Sequence, residues 1–336
     1  MTPAEIGPVG RAGELANRTG AEPVTAMGDV RRRRIDELAA RAGQVPEGEG
    51  GVSLVTSAYR RLRRNPVAIL GAVIVLVFLF VAAFAPWLAP RDPLAQTLLS
   101  EVRPGFIPGP QEGFPLGVDQ LGRDLLSRLL YGSRQSLLIG VVSTVLGAVA
   151  GMALGVLAGA FGGWVDTLVM RFVDILLSIP SLLMAISISV LLGQNQYALM
   201  IAIAVTQVPV FARLLRGSML AQRGSDYVLA ARALGVKRGR IVFGHVLPNS
   251  LSPVIVQATL SLATAIIEAA ALSFLGLGDP DIARPEWGAM LSTAQAFLSV
   301  RPGLAVWPAL CIIVVALGFT LLGESLREAL DPKFRR

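Results

Sequence analysis

Six stretches of eighteen or more predominantly apolar residues punctuate this sequence, at 67–85, 136–160, 175–192, 198–215, 251–275 and 304–322. A helix of about 20 residues, rising about 1.5 Å per residue, crosses the hydrocarbon core of a bilayer. A helix also satisfies every backbone polar group internally, which lipid requires. Composition agrees: 53% of the 336 residues are hydrophobic, 16% are charged and the mean hydropathy is +0.62. A soluble chain carries about 25% charged residues. The expected fold class is an all-α membrane protein of six transmembrane helices.

The charges orient those helices. The formal net charge is +7 and almost all of the positive charge is arginine, the only lysines being Lys237 and Lys333. The basic residues flank apolar runs, as the positive-inside rule expects, so no nucleic-acid partner is implied. Arg60, Arg61, Arg63 and Arg64 precede the first run. Between runs four and five stand Arg213, Arg216, Arg223, Arg232, Lys237, Arg238 and Arg240 against Asp226 alone. The loops after runs one and five mix both signs. Both termini are therefore expected in the cytoplasm. No secretory signal is expected in the first sixty residues, and the single Cys311 has no partner for a disulfide within the chain.

Along the chain, residues 1–58 are rich in Gly, Ala, Pro and charge and read as a cytoplasmic tail. The alternative is a short amphipathic helix at 30–42, around Arg31–Arg34, touching anionic lipid. Residues 59–90 form the first membrane helix, ended by Pro86, Pro90 and Pro93. Residues 91–135 form an external loop, in which 119–134 alternates charge with leucine and suggests a helix on the outer face. A five-helix core occupies 136–325, with a cytoplasmic segment at 217–249, and 326–336 is a second tail. Only Gln194, Asn195 and Gln196 separate runs three and four, which makes a tight hairpin. Pro180 and Pro209 mark expected kinks, and Trp287 and Trp307 expected interfacial anchors. Gly147, Gly151, Gly155, Gly159 and Gly163 recur every four residues, a ridge on one helix face against which another helix can pack closely.

Several chemistries are missing. A phosphate-binding loop needs Lys after Gly, whereas the two lysines follow Val236 and Pro332. His245 is the one histidine, so the paired-histidine zinc motif is excluded, and no serine elbow lies near it. No catalytic, cofactor or metal site is expected in the chain, and any transport must draw on an ion gradient or another subunit.

The basic cytoplasmic segment carries the most information. Ser225-Asp226 opens a helix; Tyr227, Ala230, Ala231 and Leu234 then fall at i, i+3, i+4 and i+7. Gly235 is placed to end it in the left-handed conformation. A second helix is expected over 237–246, with Ile241, Val242 and His245 on its apolar side, ending before Pro248. Such a unit cannot bury its own stripe. The stripe meets either a partner's groove or the headgroups and the rest of the bundle.

The segment Asp226-Tyr227-Val228-Leu229-Ala230-Ala231-Arg232-Ala233-Leu234-Gly235, with His245-Val246-Leu247-Pro248-Asn249, resembles the cytoplasmic loop of binding-protein-dependent ABC importer permeases. Ala230, Ala231, Gly235, Leu247 and Pro248 match that loop's pattern in register. Leu229 stands where the family has Glu and His245 where it has Ile, departures that favour the peptide-importer branch. The external segment Leu116-Gly117-Val118-Asp119-Gln120-Leu121-Gly122-Arg123-Asp124 is similar to the second permease of that branch, as are Arg171-Phe172-Val173-Asp174-Ile175, Glu268–Gly278 and Trp287–Leu291. The resemblance covers about 55–336. It implies a type I importer permease fold in a bacterial inner membrane. Its implied partners are a second permease, two ATPase subunits that bind ATP and Mg, an external binding protein, a peptide substrate and membrane lipid. It further implies that Tyr227, Leu229, Ala230, Ala231, Leu234, Gly235, His245 and Pro248 seat on the ATPase as a coupling helix. Glu268 is an acid inside a run, where charge is costly and points to function. It faces the pathway, pairs with a neighbouring helix or lies near the outer interface. Gln257 and Gln207 are further pathway candidates. Nickel, glutathione and haem importers have similar permeases. An ion-coupled secondary transporter is the alternative from another class; it would need intramembrane acids and internal repeats, of which the sequence offers only Glu268.

Overall fold

The first membrane helix begins where Asn65 accepts hydrogen bonds from the amides of Val67 and Ala68, at 2.9 and 3.4 Å. Pro66 occupies the first helical position, which needs no N–H. This helix, α1 (Pro66–Leu88), follows a helical turn at 59–62 that opens the part of the chain the computed structural model describes, residues 59–281 and 283–330. The expected tail 1–58, its alternative helix at 30–42 and residues 331–336 lie outside the described residues. Most α1 side chains face outward, as lipid allows, and its contact with the bundle runs through Gly71. A Cβ there would stand 2.8 Å from the Leu322 amide of the last helix.

The second helix, α2 (Leu125–Phe161), has 37 residues and extends about 55 Å, well beyond the roughly 30 Å hydrocarbon core. Asp124 caps it by accepting from the Ser127 amide at 2.8 Å. The separate surface helix expected at 119–134 is absent. Nothing between Leu125 and Ser136 interrupts helical geometry, so this stretch is the outward extension of the second span, and Leu125 and Leu129 are buried under the external loop.

The third crossing is broken. Gly162 and Gly163 take φ of +68° and +58°, which ends α2, and α3 (Gly163–Ser178) then meets α4 (Ser181–Leu192) at a 92° bend. Ile179, forced to extended geometry before Pro180, makes the break. The run expected at 175–192, with its kink at Pro180, thus straddles the break: 175–178 end α3 and 181–192 form α4. The inner half of the crossing is held beside α5 (Gln196–Gln222) by Asp174–Arg213 at 2.5 Å and by Asp166–Arg216. Pro209, in contrast, lies inside an uninterrupted α5.

The cytoplasmic unit follows as α6 (Asp226–Ala233), α7 (Arg238–Ile241), a π turn (Val242–Val246) and α8 (Leu247–Ser250). Then come α9 (Ser252–Phe274), the outer helix α10 (Trp287–Ala294) and α11 (Gly303–Leu330). Residues 326–330, expected in a tail, are the last turn of α11. Five helices are long and apolar enough to cross a membrane, and the bent pair makes the sixth crossing. An even number of crossings puts the ends of the described chain on one side, the basic, cytoplasmic one. No strand occurs among the described residues.

The tightest contact joins α2 to α5. Cβ atoms at Gly147, Gly151 and Gly155 would stand 2.7, 2.5 and 2.8 Å from the carbonyl oxygens of Ala204, Val208 and Ala212. One at Gly159 would stand 2.9 Å from the Met219 sulfur. Gly163 is not on this ridge: it lies past the end of α2 and has no atom within 4 Å of its Cβ position. A methyl group at Gly151 must push two backbones apart, which costs about 1–3 kcal/mol. Gly151→Ala is expected to lower the thermal midpoint of the purified protein clearly. Gly217→Ala, where nothing lies within 4 Å, is expected to leave it unchanged or slightly raised.

Candidate coupling surface and membrane polar site

The cytoplasmic unit is anchored by a few residues and exposes the rest. Val228 is the fully buried residue of α6; with Ile241, Val242 and Val246 it packs on Phe211, Leu215 and Met219 at the inner end of α5. Gly235 takes φ +74°, and the Gly235 and Val236 amides donate to the Arg232 and Ala231 carbonyls, closing the helix end. Only glycine adopts this conformation without penalty. The second helix does not stop before Pro248. The Leu247 amide instead donates to the Val242 carbonyl five residues back, and this wider turn accommodates a proline that lacks an N–H.

Tyr227, Leu229, Ala230, Leu234, Gly235, His245 and Pro248 are exposed, whereas Ala231 is half-buried against the bundle. The sequence stripe therefore divides: Ala231 turns inward beside Val228, and the outward apolar surface is Leu229 with Leu234, the latter 83% exposed. Tyr227 is tied down by donating its hydroxyl to Gln222 Oε1 at 2.7 Å. Phe243 is exposed as well, at 61%. The sequence reading missed it because the π turn shifts the register that an unbroken helix would have.

In the membrane, the half-buried Glu268 of α9 accepts from the Thr206 hydroxyl of α5 at 3.2 Å. The hydroxyl of Ser181, the first residue of α4, is within its hydrogen-bonding reach. The carboxylate thus sits where the broken third crossing meets α5 and α9. Gln207 is buried with neither amide atom bonded, and it lies against the glycine face of α2. Gln257 donates to Ser261 Oγ at 3.2 Å and lines a cavity near the inner end of α11. The structure does not gather these three polar residues. Thr206 and Ser181, neither of which the sequence marks as a pathway candidate, are the ones beside Glu268.

On the outer side, Asp119 holds Arg123 at 2.7 Å and Arg128 at 3.3 Å, all three buried. The buried Glu286 caps α10, accepting from the Gly288 and Ala289 amides at 2.8 Å each and from Ser136 Oγ at 3.3 Å. Trp287 is not an interfacial anchor. It is fully buried, donates its indole N–H to the Leu129 carbonyl at 3.1 Å, and fits because residue 132 is glycine. Trp307 is partly exposed. No cluster of three or more metal-ligating side chains occurs among the described residues.

The family of binding-protein-dependent transport system inner membrane components matches residues 151–336, more than half of the chain. This chain belongs to that permease family. Its residues 53–102 also match the N-terminal transmembrane domain of oligopeptide transport permease C. The permease is 42% identical over 285 residues to a dipeptide transport system permease protein of Alkalihalophilus pseudofirmus, covering 84% of this chain and 91% of that one. It is 43% identical to a di/tripeptide transport system permease protein of Pseudomonas aeruginosa, over 82% of this chain and 91% of the relative. It is 40% identical to a glutathione transport system permease protein of Pectobacterium atrosepticum, over 82% and 90%. Its fold resembles the inward-facing methionine ABC transporter, at a TM-score of 0.51 and 20% identity, covering 62% of this chain and 98% of that one. The permease is a multi-pass transport component of an inner membrane with the type I importer fold.

Burial pushes the Glu286 carboxyl of the permease above the usual carboxylate range, against the lowering effect of its backbone and serine donors. The folded state then binds this proton more tightly than the unfolded chain does. The resulting stability is fully present below the ordinary value of about 4.3 and is lost as pH rises through the raised one. Glu286→Gln should flatten this loss. Thermal midpoints measured from pH 4 to 8 should fall for the natural protein relative to the variant, and parallel curves would rule the linkage out.

Proposed function

We propose that this permease is one of two membrane subunits of an ATP-driven importer of di- and oligopeptides. Its partners are a second homologous permease, two ATPase subunits that bind ATP and Mg, and an external binding protein that delivers the peptide. The permease has no ATPase site of its own. What carries the reading is the cytoplasmic unit: a short helix ended by a left-handed glycine, rooted on α5 through Val228, with Leu229 and Leu234 turned outward. An exposed apolar pair on a basic, firmly anchored unit fits a groove on a partner. The relatives named for dipeptide, di/tripeptide and glutathione transport support a short peptide as the substrate class.

In this reading residues 217–249 are the coupling loop, and Tyr227, Leu229, Ala230, Ala231, Leu234, Gly235, His245 and Pro248 form or brace its contact with the ATPase. Closure of the ATPases pulls on α6. The root at Phe211, Leu215 and Met219 passes that movement to α5, which α2 must follow because their backbones touch. Glu268 serves in gating: its link to Thr206 and Ser181 ties α9 to the break in the third crossing. Gln207, next to Thr206 but turned toward α2, and Gln257, nearer the inner side, serve as pathway residues.

A side chain at Gly235 costs about 1–2 kcal/mol in the left-handed conformation and reorients the unit. Gly235→Val is expected to leave ATP hydrolysis by the assembled importer largely intact while lowering labelled dipeptide uptake about tenfold, the factor that about 1.4 kcal/mol represents. Normal uptake by a stably inserted variant would sink the coupling assignment. Glu268→Gln retains an acceptor for Thr206 and should keep most of the uptake, whereas Glu268→Leu should abolish it. Uptake of labelled glutathione with no uptake of labelled dipeptides or of other tripeptides would move the substrate to glutathione.

A further inference from the structure

The cytoplasmic end of α2 adjoins a cleft within the coupling loop whose lining includes none of the residues assigned above to the ATPase contact. It measures about 380 Å³ and is lined by Arg223, Arg232 and Arg238, with Val236, Ile241 and Val246 forming apolar walls. Arg223 and Arg238 each donate to the same acceptor, the Ala160 carbonyl, at 2.7 Å, and Arg238 donates to the Phe161 carbonyl at 2.9 Å. No carboxylate among the described residues forms an ion pair with any of the three. The neighbouring acid, Asp166, has both oxygens engaged by Arg216. The carbonyl end of a helix supplies only about half a negative charge. Three cations therefore converge on less than one compensating charge, and burial together with Arg238 and Arg232 lowers the pKa of Arg223.

The surroundings indicate what neutralises them. Phe161, whose carbonyl Arg238 holds, and Trp164 three residues on are 62% and 75% exposed, as aromatic residues at a membrane–water boundary are. From Trp164 an outward apolar stripe continues through Leu168 and Phe172 along α3. An anionic group at the cleft thus has apolar protein surface leading away from it into the membrane. A lipid fits this combination, and a free phosphate would use only the cationic half of it.

We propose that the permease binds the phosphodiester headgroup of one anionic phospholipid in this cleft, on Arg223, Arg232 and Arg238, with an acyl chain along Trp164, Leu168 and Phe172. The site bridges the end of α2 and the α6–α8 unit.

The test uses the assembled, detergent-purified importer containing the full permease chain. Phosphatidylglycerol is titrated while bound lipid is counted by native mass spectrometry. Phosphatidylcholine and inorganic phosphate are run as parallel probes. One saturable phosphatidylglycerol per permease is expected, with phosphatidylcholine at least tenfold weaker. Arg232 makes no side-chain hydrogen bond to the described residues, so Arg232→Gln leaves the fold intact. It should weaken that lipid about fivefold, the equivalent of about 1 kcal/mol for one guanidinium at an anionic surface. Trp164→Ala, which leaves the three arginines in place, should weaken it too, and an unchanged affinity there would overturn the placement of the acyl chain. Equal binding of the two lipids, unchanged affinity in Arg232→Gln, or competition by millimolar inorganic phosphate without any lipid retained would each overturn the proposal.

Discussion

Backbone contact between α2 and α5 is the constraint on which the remaining packing depends. Lipid tails are as apolar as leucine, so helices in a membrane gain little by hiding apolar side chains from each other, and close packing must supply the attraction. Gly147, Gly151 and Gly155 meet Ala204, Val208 and Ala212 in the same order along both chains, so the two helices run parallel, each from the outer side to the inner. That agrees with the direction the charge asymmetry assigns to each. With glycine on the α2 side of the seam, the two helices sit close enough to behave as one thick rod. The third crossing is tied to that rod by Asp166 and Asp174, and the cytoplasmic unit by Val228 and Ile241.

Polar groups occupy the two ends of the rod in different ways. Outside, buried charges are paired or capped: Asp119 between two arginines, and Glu286 on the first turn of α10. Burial of this kind costs solvation and is compensated only when geometry is good, so it fixes arrangement more than it adds stability. Inside, the arginines outnumber the acids and contact helix carbonyls. The buried outer charges accordingly form a paired polar layer, whereas the inner end keeps cations that no acid among the described residues pairs, beside the exposed Leu229 and Leu234.

The contrast between Pro180 and Pro209 explains why kinks resist reading from sequence. Both prolines lie in apolar runs. Pro180 follows Ile179 at a point where α3 is drawn aside by two ion pairs to α5, and the chain turns by 92°. Pro209 lies in the most enclosed helix, where neighbours on several sides keep it continuous. Trp287 shows the same limit. An aromatic residue near the end of an apolar segment reads as an interfacial anchor, and only the space above Gly132 makes it a core residue. Gly163 shares the four-residue spacing of its predecessors, yet the break at Gly162 removes it from their face.

The sequence by itself determined the class, the six crossings and their direction, because bilayer thickness and the membrane's charge asymmetry act on short local windows. It also carried the cytoplasmic helix–glycine–helix unit, since a left-handed glycine and an apolar period are local signals. Tertiary structure alone decided how far α2 extends, where the third crossing breaks, and which residues surround Glu268. It also decided which of Ala231, Leu234 and Phe243 turn outward. Each of these depends on groups distant in sequence, Asp166 with Arg216, Thr206 with Glu268, Gly132 with Trp287, whose meeting no local pattern encodes.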